Sequence, residues 1–252
     1  MAALSTSSKY VFETLKSNPV VTGLCATAII GLVWAVNDFR EWKAFGTGGT
    51  PPTWAGYMRM SKLRARRALT KNNRHHNLRD PAPLQKTGPS YLPTGTLPLR
   101  SGPRPRMMPR TLPQRQYPEP IDPSVQARLR ALVRDLATAH PELFDLMPSH
   151  TEGRTTDGLY ARRNLPTLNP LAGDRILSYE IAHMHPAENS LHVWLSDVDA
   201  REVIEKGWGQ RFPLPAVPQG WVMVYAPRDE GEMDIVEGVV RAAARWVTGV
   251  MV

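Results

Sequence analysis

Apolar positions along this chain fall into three regimes. The first is an unbroken run, PVVTGLCATAIIGLVWAV over residues 19–36, eighteen residues without a charge. That is close to the roughly 17–25 residues that cross a bilayer's hydrocarbon as a helix. The run predicts a transmembrane helix over 19–37. Trp34 and Trp42 lie at or beyond its end, where interfacial tryptophans collect. A signal peptide is the competing reading, but no small-x-small cleavage site follows cleanly.

The second regime, residues 38–118, has little periodicity. Gly46, Gly48, Gly49, Pro51 and Pro52 break any helix. A short basic amphipathic helix is expected from about Trp54 to Leu69. The proline- and arginine-rich tract beyond it reads as a poorly ordered or extended linker, or as a belt on anionic lipid.

Regular patterning returns from Asp122, which is placed to cap a helix with Pro123 at its first position. Leu129, Leu132, Val133 and Leu136 follow at helical spacing. HPELFDLM reads as a second short helix, and RILSYEIAHMH and SLHVWLS as two strands of a hairpin joined by PAEN. Ser196 and Asp199 suggest a capping box for a helix that Gly207 ends. WGQRFPLPAVPQG reads as a loop and WVMVYA as a third strand. Asp229, with Glu232 three residues on, opens a final helix through Trp246. The expected fold is α+β, a small, mainly antiparallel sheet with packed helices behind an N-terminal transmembrane helix. The expected divisions are a tail (1–18), the transmembrane helix (19–37), a basic Gly/Pro-rich juxtamembrane and linker region (38–118) and the α+β domain (119–252).

Charge changes this picture in one respect. The net +8 is concentrated: residues 59–118 carry 14 Lys/Arg against one acid, Asp80, while residues 119–252 carry 13 against 19 Asp/Glu. Lys9 and Lys16 precede the apolar run, whereas Arg40, Lys43, Arg59, Lys62, Arg64, Arg66 and Arg67 follow it. The excess on the C-terminal side predicts that the C-terminal domain is cytosolic; the expected location is that of a single-pass protein of the endoplasmic reticulum or another internal membrane. Lipid contact is expected through 19–37 and the basic 59–118 segment. Only Tyr57, Tyr91 and Tyr117 accompany those charges, and no nucleic-acid motif is present, so no nucleic-acid partner is expected. The lone Cys25 excludes an intrachain disulfide and a cysteine-based zinc site.

Candidate chemistry is concentrated in YEIAHMHPAENSLHVWL, residues 179–195, which holds three of the chain's seven histidines. Strand alternation puts His183 and His185 on one face. If the hairpin closes around Pro186–Asn189, Met184 pairs with Leu191 and His183 with His192. The three imidazoles then share a face with Tyr179, Ile181 and Trp194. Such a trio can ligate iron, zinc or copper with open positions, supply a general base, or satisfy buried hydrogen bonds. No carboxylate in the segment completes a metal set: a regular strand points Glu180 to the opposite face, and Glu188 lies in the turn. In GWGQRFPL, residues 207–214, Arg211 suits a carboxylate or enolate oxygen; the alternative is a helix stop and a packed Trp208. In YAPRDEGE, Arg228 sits at the positive end of a helix, where an exposed arginine is the plainer reading. No nucleophile elbow, phosphate-cradling loop or dinucleotide fingerprint occurs.

YEIAHMHPAENSLHVWLS, DAREVIEKGWGQRFPL and WVMVYAPRDEGEMDIVEGVVRAA, in that order, resemble the fungal luciferase family and its wider luciferase-like domain. The resemblance is continuous from about Ile176 to Ala244. It is looser over the apolar run, GTGGTPPTWAGY and PRTLPQRQ. It implies a membrane-anchored enzyme. In luminescent members the substrate is 3-hydroxyhispidin, an α-pyrone that reacts with O2 through a high-energy peroxide and loses CO2. No flavin or nicotinamide takes part, so the implied cofactor set is none beyond O2, with a metal on the histidines as the alternative. The implied catalytic residues are His183, His185, His192 and Arg211; those implied for an apolar aromatic substrate are Trp194, Trp208, Gln210, Tyr225 and Arg228. The luminescent pattern reads Gly-Trp-Gly-Gln-Arg-His-Pro-Leu, whereas Phe212 stands in the histidine's place here, and the turn after His185 is shorter by a residue. Three readings follow: an O2-dependent enzyme on a hydroxypyrone or polyphenol, a membrane-tethered binding module that has lost the chemistry, or a histidine-ligated metalloenzyme.

Overall fold

The computed structural model describes Glu13 and residues 18–69, 77–93 and 97–252. Lys9, Lys16 and most of the expected tail lie outside the described residues. Two compact units emerge, Met1–Ala44 and Phe45–Val252.

Within the first unit, α1 (Pro19–Ala44) starts on Asn18, whose Oδ1 accepts from the Val21 amide at 3.2 Å. Proline at the first position costs nothing there, because that N–H has no helical partner. The helix is 26 residues long, with a mean hydropathy of 2.0 over its most apolar window and none of that window buried. It is long and apolar enough to cross a membrane by length and composition.

The second unit begins with α2 (Trp54–Leu69), the basic amphipathic helix expected. Further along come α3 (Pro123–Ala139), β1 (Phe144–Pro148), β2 (Asp157–Ala161), β3 (Glu180–Met184), β4 (Leu191–Trp194), α4 (Asp197–Glu205), β5 (Gly209–Arg211), β6 (Trp221–Val224) and α5 (Glu230–Thr248). The strands form one antiparallel sheet in the order β1-β2-β3-β4-β6-β5. This is the expected α+β class.

The two faces of the sheet differ chemically. One carries Leu159, Ala182, Val193 and Val222, packed with Leu129 and Leu136 of α3 and Val236, Val239 and Val240 of α5. Burying each large aliphatic side chain here contributes about 1.5–3 kcal/mol. On the other face one row crosses five strands: Gln210 opposite Met223, Met223 opposite His192, His192 opposite His183, and His183 opposite Gly158. Paired residues project to the same side, so this face is the polar one.

Several expectations need correction. HPELFDLM is not a helix: Phe144 starts β1 and pairs with Ala161 of β2, a strand the pattern missed. Burial of Phe144 against the core outweighs the helical preference of its neighbours. Gly209–Arg211, expected in a loop, adds β5 to the edge of the sheet. Asp122 occupies the cap position of α3 but makes no side-chain capping bond, whereas Ser196 and Asp229 accept from the amides of Asp199 and Glu232.

The largest correction concerns residues 38–118. Their described part from Phe45 onward belongs to the second unit, and Arg100, Gln114, Arg115 and Gln116 are buried. Side chains rather than a backbone ladder fasten this segment. Trp208 Nε1 donates to the Pro98 carbonyl at 2.7 Å. Arg100 donates to the Ala226 carbonyl and to Glu232, each within 3.3 Å, and its guanidinium lies over the rings of Trp208 and Tyr225. Gln116 Oε1 accepts from the Ala226 amide at 3.0 Å.

Candidate active site

The expected hairpin register is observed: Met184 opposite Leu191 and His183 opposite His192. His185 continues it, its amide donating to the Ser190 carbonyl at 2.8 Å. All three imidazoles are buried. Three nitrogens converge: His185 Nε2 lies 3.0 Å from His192 Nδ1 and 3.3 Å from His183 Nε2, and His192 Nδ1 lies 3.3 Å from His183 Nε2.

Each ring's other nitrogen meets an oxygen. His183 Nδ1 is 2.8 Å from Glu180 Oε1, His185 Nδ1 is 2.9 Å from Glu188 Oε1 and 2.7 Å from Ser190 Oγ, and His192 Nε2 is 3.1 Å from Gln114 Oε1. The Gln114 amide is itself oriented, because its Nε2 donates to the Arg211 carbonyl at 2.9 Å.

Glu180 is therefore on the histidine face, not opposite it. The β2–β3 register shifts between Leu159 and Tyr160, and Ser178 and Tyr179 have φ of 48° and 71°. This irregularity re-aims the first residue of β3. Gly158 leaves space for it: a Cβ there would lie 3.1 Å from Glu180 Oε1 and 2.9 Å from Tyr160. Ser149, Thr151 and Tyr160 donate to the Glu180 carboxylate at 2.6, 2.9 and 3.1 Å. The same turn takes Tyr179 away from the histidines and under Arg163.

Glu152 is the remaining carboxylate. Its Oε2 lies 3.5 Å from His183 Nε2 and 3.9 Å from His185 Nε2, and Arg115 forms an ion pair with its other oxygen. Burial disfavours charge on Glu152, but His183, His185 and Arg115 outweigh it and hold the carboxyl at about 2. Burial also disfavours charge on His183, yet Glu152 and Glu180 raise it to about 9. His185 and His192 are pushed well below the usual histidine value, by burial first and by neighbouring positive groups second. Burial lifts Glu188 to about 7 against the pull of Arg115.

A cavity of about 280 Å³ opens beside this cluster. His183, His192, Gln114, Arg115 and Glu152 supply most of its polar lining, with His150 and Thr151, and Leu112, Ile176, Leu177, Phe212, Leu214, Val217 and Trp221 supply most of its apolar lining. Trp221 stacks on His192 with ring centres 5.6 Å apart, and Phe212 meets the same imidazole edge-on at 5.1 Å.

A match to known proteins bears on this site. The model of the Luciferase domain family matches residues 178–243, which span the histidine hairpin, β5 and β6. A luciferase of Armillaria gallica is 29% identical over 258 residues, 93% of this chain and 90% of the relative. One of Neonothopanus nambi is 32% identical over 165 residues, 60% of this chain and 61% of the relative. The chain is a divergent homologue of the fungal luciferases. No solved structure gives a significant match to it.

In this luciferase homologue the expected site residues divide into two groups. The three histidines are together. Arg211, Trp194, Trp208, Gln210, Tyr225 and Arg228 are not among the cavity's described lining residues. Arg211 turns to the 77–80 segment, donating to the carbonyls of Asp80 and Asn77 at 2.8 and 3.0 Å. Trp194 lines a separate depression with Trp246. Arg228 pairs with Glu232 and donates to the Ser101 carbonyl at 2.6 Å. Tyr225 accompanies Trp208 through its amide and Gln210 through its hydroxyl. Together with Trp208, Arg228 fastens the segment that delivers Gln114 and Arg115.

Sequence reasoning missed Glu152, Gln114, Arg115 and Trp221. The PRTLPQRQ stretch, which contains Gln114 and Arg115, was the available signal.

Proposed function

We propose that this chain is a membrane-anchored, O2-dependent oxidoreductase that oxidises and decarboxylates a hydroxypyrone of the 3-hydroxyhispidin kind, or a related polyphenol, without flavin or nicotinamide. The observation that carries this reading is the cavity itself, which combines buried histidines and Arg115 with a largely apolar and aromatic remaining lining. Its volume of about 280 Å³ is near the lower end for small-molecule sites.

The chemistry asks little of the protein. A deprotonated hydroxypyrone is electron-rich. One electron passes to O2, and the substrate radical and superoxide combine to a peroxide. The peroxide closes on the ring carbonyl and expels CO2. Substrate and O2 enter, a carbonyl product and CO2 leave, and the electrons balance with no further oxidant or reductant. The site must hold the oxyanion and exclude water. The expected role of Arg211 at the oxyanion passes to Arg115, which lines the cavity. Helix α1 serves as the anchor, in the endoplasmic reticulum or another internal membrane with the catalytic unit cytosolic. It keeps the enzyme where apolar aromatic compounds partition.

The test is O2 uptake, CO2 release and light from the purified full chain with 3-hydroxyhispidin. Turnover is expected, with kcat/KM at least about 100-fold lower in His183→Ala. Absence of turnover with that compound and related pyrones sinks the reading. Phe212 favours a second reading, a binding module without chemistry; tight binding of the same compound without O2 uptake would support it.

A further inference from the structure

We propose that His183, His185 and His192 hold a divalent transition-metal ion, with Glu152 as a fourth, oxygen ligand. The inference deepens the oxygenase reading and rests on it for the ion's chemical use, though not for its binding.

The first observation is the triangle of converging nitrogens, with edges of 3.0, 3.3 and 3.3 Å. Imidazole nitrogens about 2.0–2.1 Å from a common ion are about 2.9 Å apart at octahedral angles and about 3.4 Å apart at tetrahedral ones. The observed edges lie within that interval. All three atoms can therefore reach one ion with little movement.

The second is the outer shell. Ligating histidines characteristically donate their other N–H to a carboxylate or carbonyl oxygen. Here Glu180, Glu188 and the Gln114 amide oxygen fill that position for His183, His185 and His192 at 2.8, 2.9 and 3.1 Å. Each is held in turn: Glu180 by three hydroxyls, Glu188 by the Ser190 amide at 3.1 Å, and Gln114 by the Arg211 carbonyl. With the outer nitrogens donating, a neutral ring directs a lone pair inward. Three ring nitrogens this close need a cation between them, either a proton or a metal ion that takes its place.

The third is Glu152, whose Oε2 lies within 3.9 Å of both His183 Nε2 and His185 Nε2. Arg115 engages Oε1, so Oε2 is the oxygen turned to these two imidazoles. Three imidazoles and one carboxylate suit iron, zinc or copper and not magnesium or calcium, which prefer all-oxygen sets. His183, His192 and Glu152 line the cavity while His185 does not. The ion's open positions would thus face the substrate.

The test uses the full chain in detergent, made without a polyhistidine tag, stripped by chelator and refilled anaerobically with Fe(II), Zn(II) or Co(II). Metal content after desalting should approach one ion per chain, and the Co(II) form should show visible ligand-field bands. His185→Ala, which alters no cavity-lining residue, should retain below about one tenth of an ion. Should that variant fail to fold, Glu152→Gln keeps the three imidazoles and should bind at least about tenfold more weakly, since outer-shell losses alone cost 10–100-fold. Wild-type protein retaining under a tenth of an ion with every metal overturns the proposal, as does equal retention by folded His185→Ala. O2 uptake by metal-free protein, unchanged by chelator or refilling, overturns the ion's use in the chemistry and leaves the oxygenase, while metal retention alone decides the site. A full metal complement without turnover leaves the site and overturns the oxygenase.

Discussion

His192 shows how much one residue's surroundings decide. Its ring is fixed by Gln114, by two other imidazoles and by the rings of Trp221 and Phe212. Phe212 is the point of departure from the luminescent pattern, and it presents a hydrocarbon edge where that pattern has a histidine. Restoring a polar ring at this wall should favour the family's substrate. Phe212→His is expected to raise O2 uptake and light with 3-hydroxyhispidin by at least about tenfold while leaving the melting temperature within a few degrees. Luminometry and oxygen-electrode traces on the two proteins check this. An unchanged rate would remove Phe212 as the determinant. The pairing of His183 with His192 was legible on the assumption that the hairpin closes around Pro186–Asn189, because the turn sets the register. Glu180's position was not, since it depends on a bulge against β2, a strand too short and glycine-containing to announce itself.

Among the elements, the Gly-Trp-Gly-Gln-Arg and Tyr-Ala-Pro-Arg-Asp-Glu motifs read as substrate-binding but hold the 97–118 segment in place. Their residue types suit both jobs, and only tertiary contacts distinguish them. Glu232 is the clearest case. Burial disfavours its charge, but Arg228 and Arg100 outweigh burial and hold its carboxyl at about 2, below the ordinary 4.5. A depressed carboxyl stabilises the fold above its unfolded value, and that stability is lost as pH falls through the folded one. Glu232→Gln should therefore cost about 1–3 kcal/mol at pH 7. The difference from wild type should shrink below about pH 5 and vanish near pH 2. Urea unfolding of both proteins between pH 7 and 3 measures it; a difference independent of pH would contradict the ion-pair account. The strands β1, β2 and β5 were illegible for a related reason. Each is short, and its pairing partner rather than its own pattern makes it a strand.

At the scale of the whole molecule, length and hydropathy announced α1, and charge announced the basic stretch. That much of the stretch is folded was hidden, because proline and arginine composition looks the same in a linker and in a fastened segment. Its surface still suits lipid. Trp54, Met58 and Leu69 of α2 are exposed beside Arg59, Lys62 and Arg66, a mixture typical of helices at membrane surfaces. The fragment Phe45–Val252 is expected to stay folded and to sediment with phosphatidylserine vesicles at low salt, and to be released at 0.5 M salt. Each basic residue near such a surface contributes at most about 1 kcal/mol. Sedimentation unaffected by salt, or absent at low salt, would count against the basic segment as a lipid contact.

The bond from His192 to Gln114 joins residues 78 positions apart, and Trp221, which stacks on the same imidazole, comes later still. Synthesis therefore delivers Gln114 first, the histidines next and Trp221 after them. Contacts this distant along the chain form late, because loop closure precedes their reward. A ribosome-bound or prematurely ended chain carries the imidazoles without their enclosure. On the proposed reading the site is complete only once Trp221 has been added, so a stop codon before Trp221 should abolish turnover whatever the fate of the histidines.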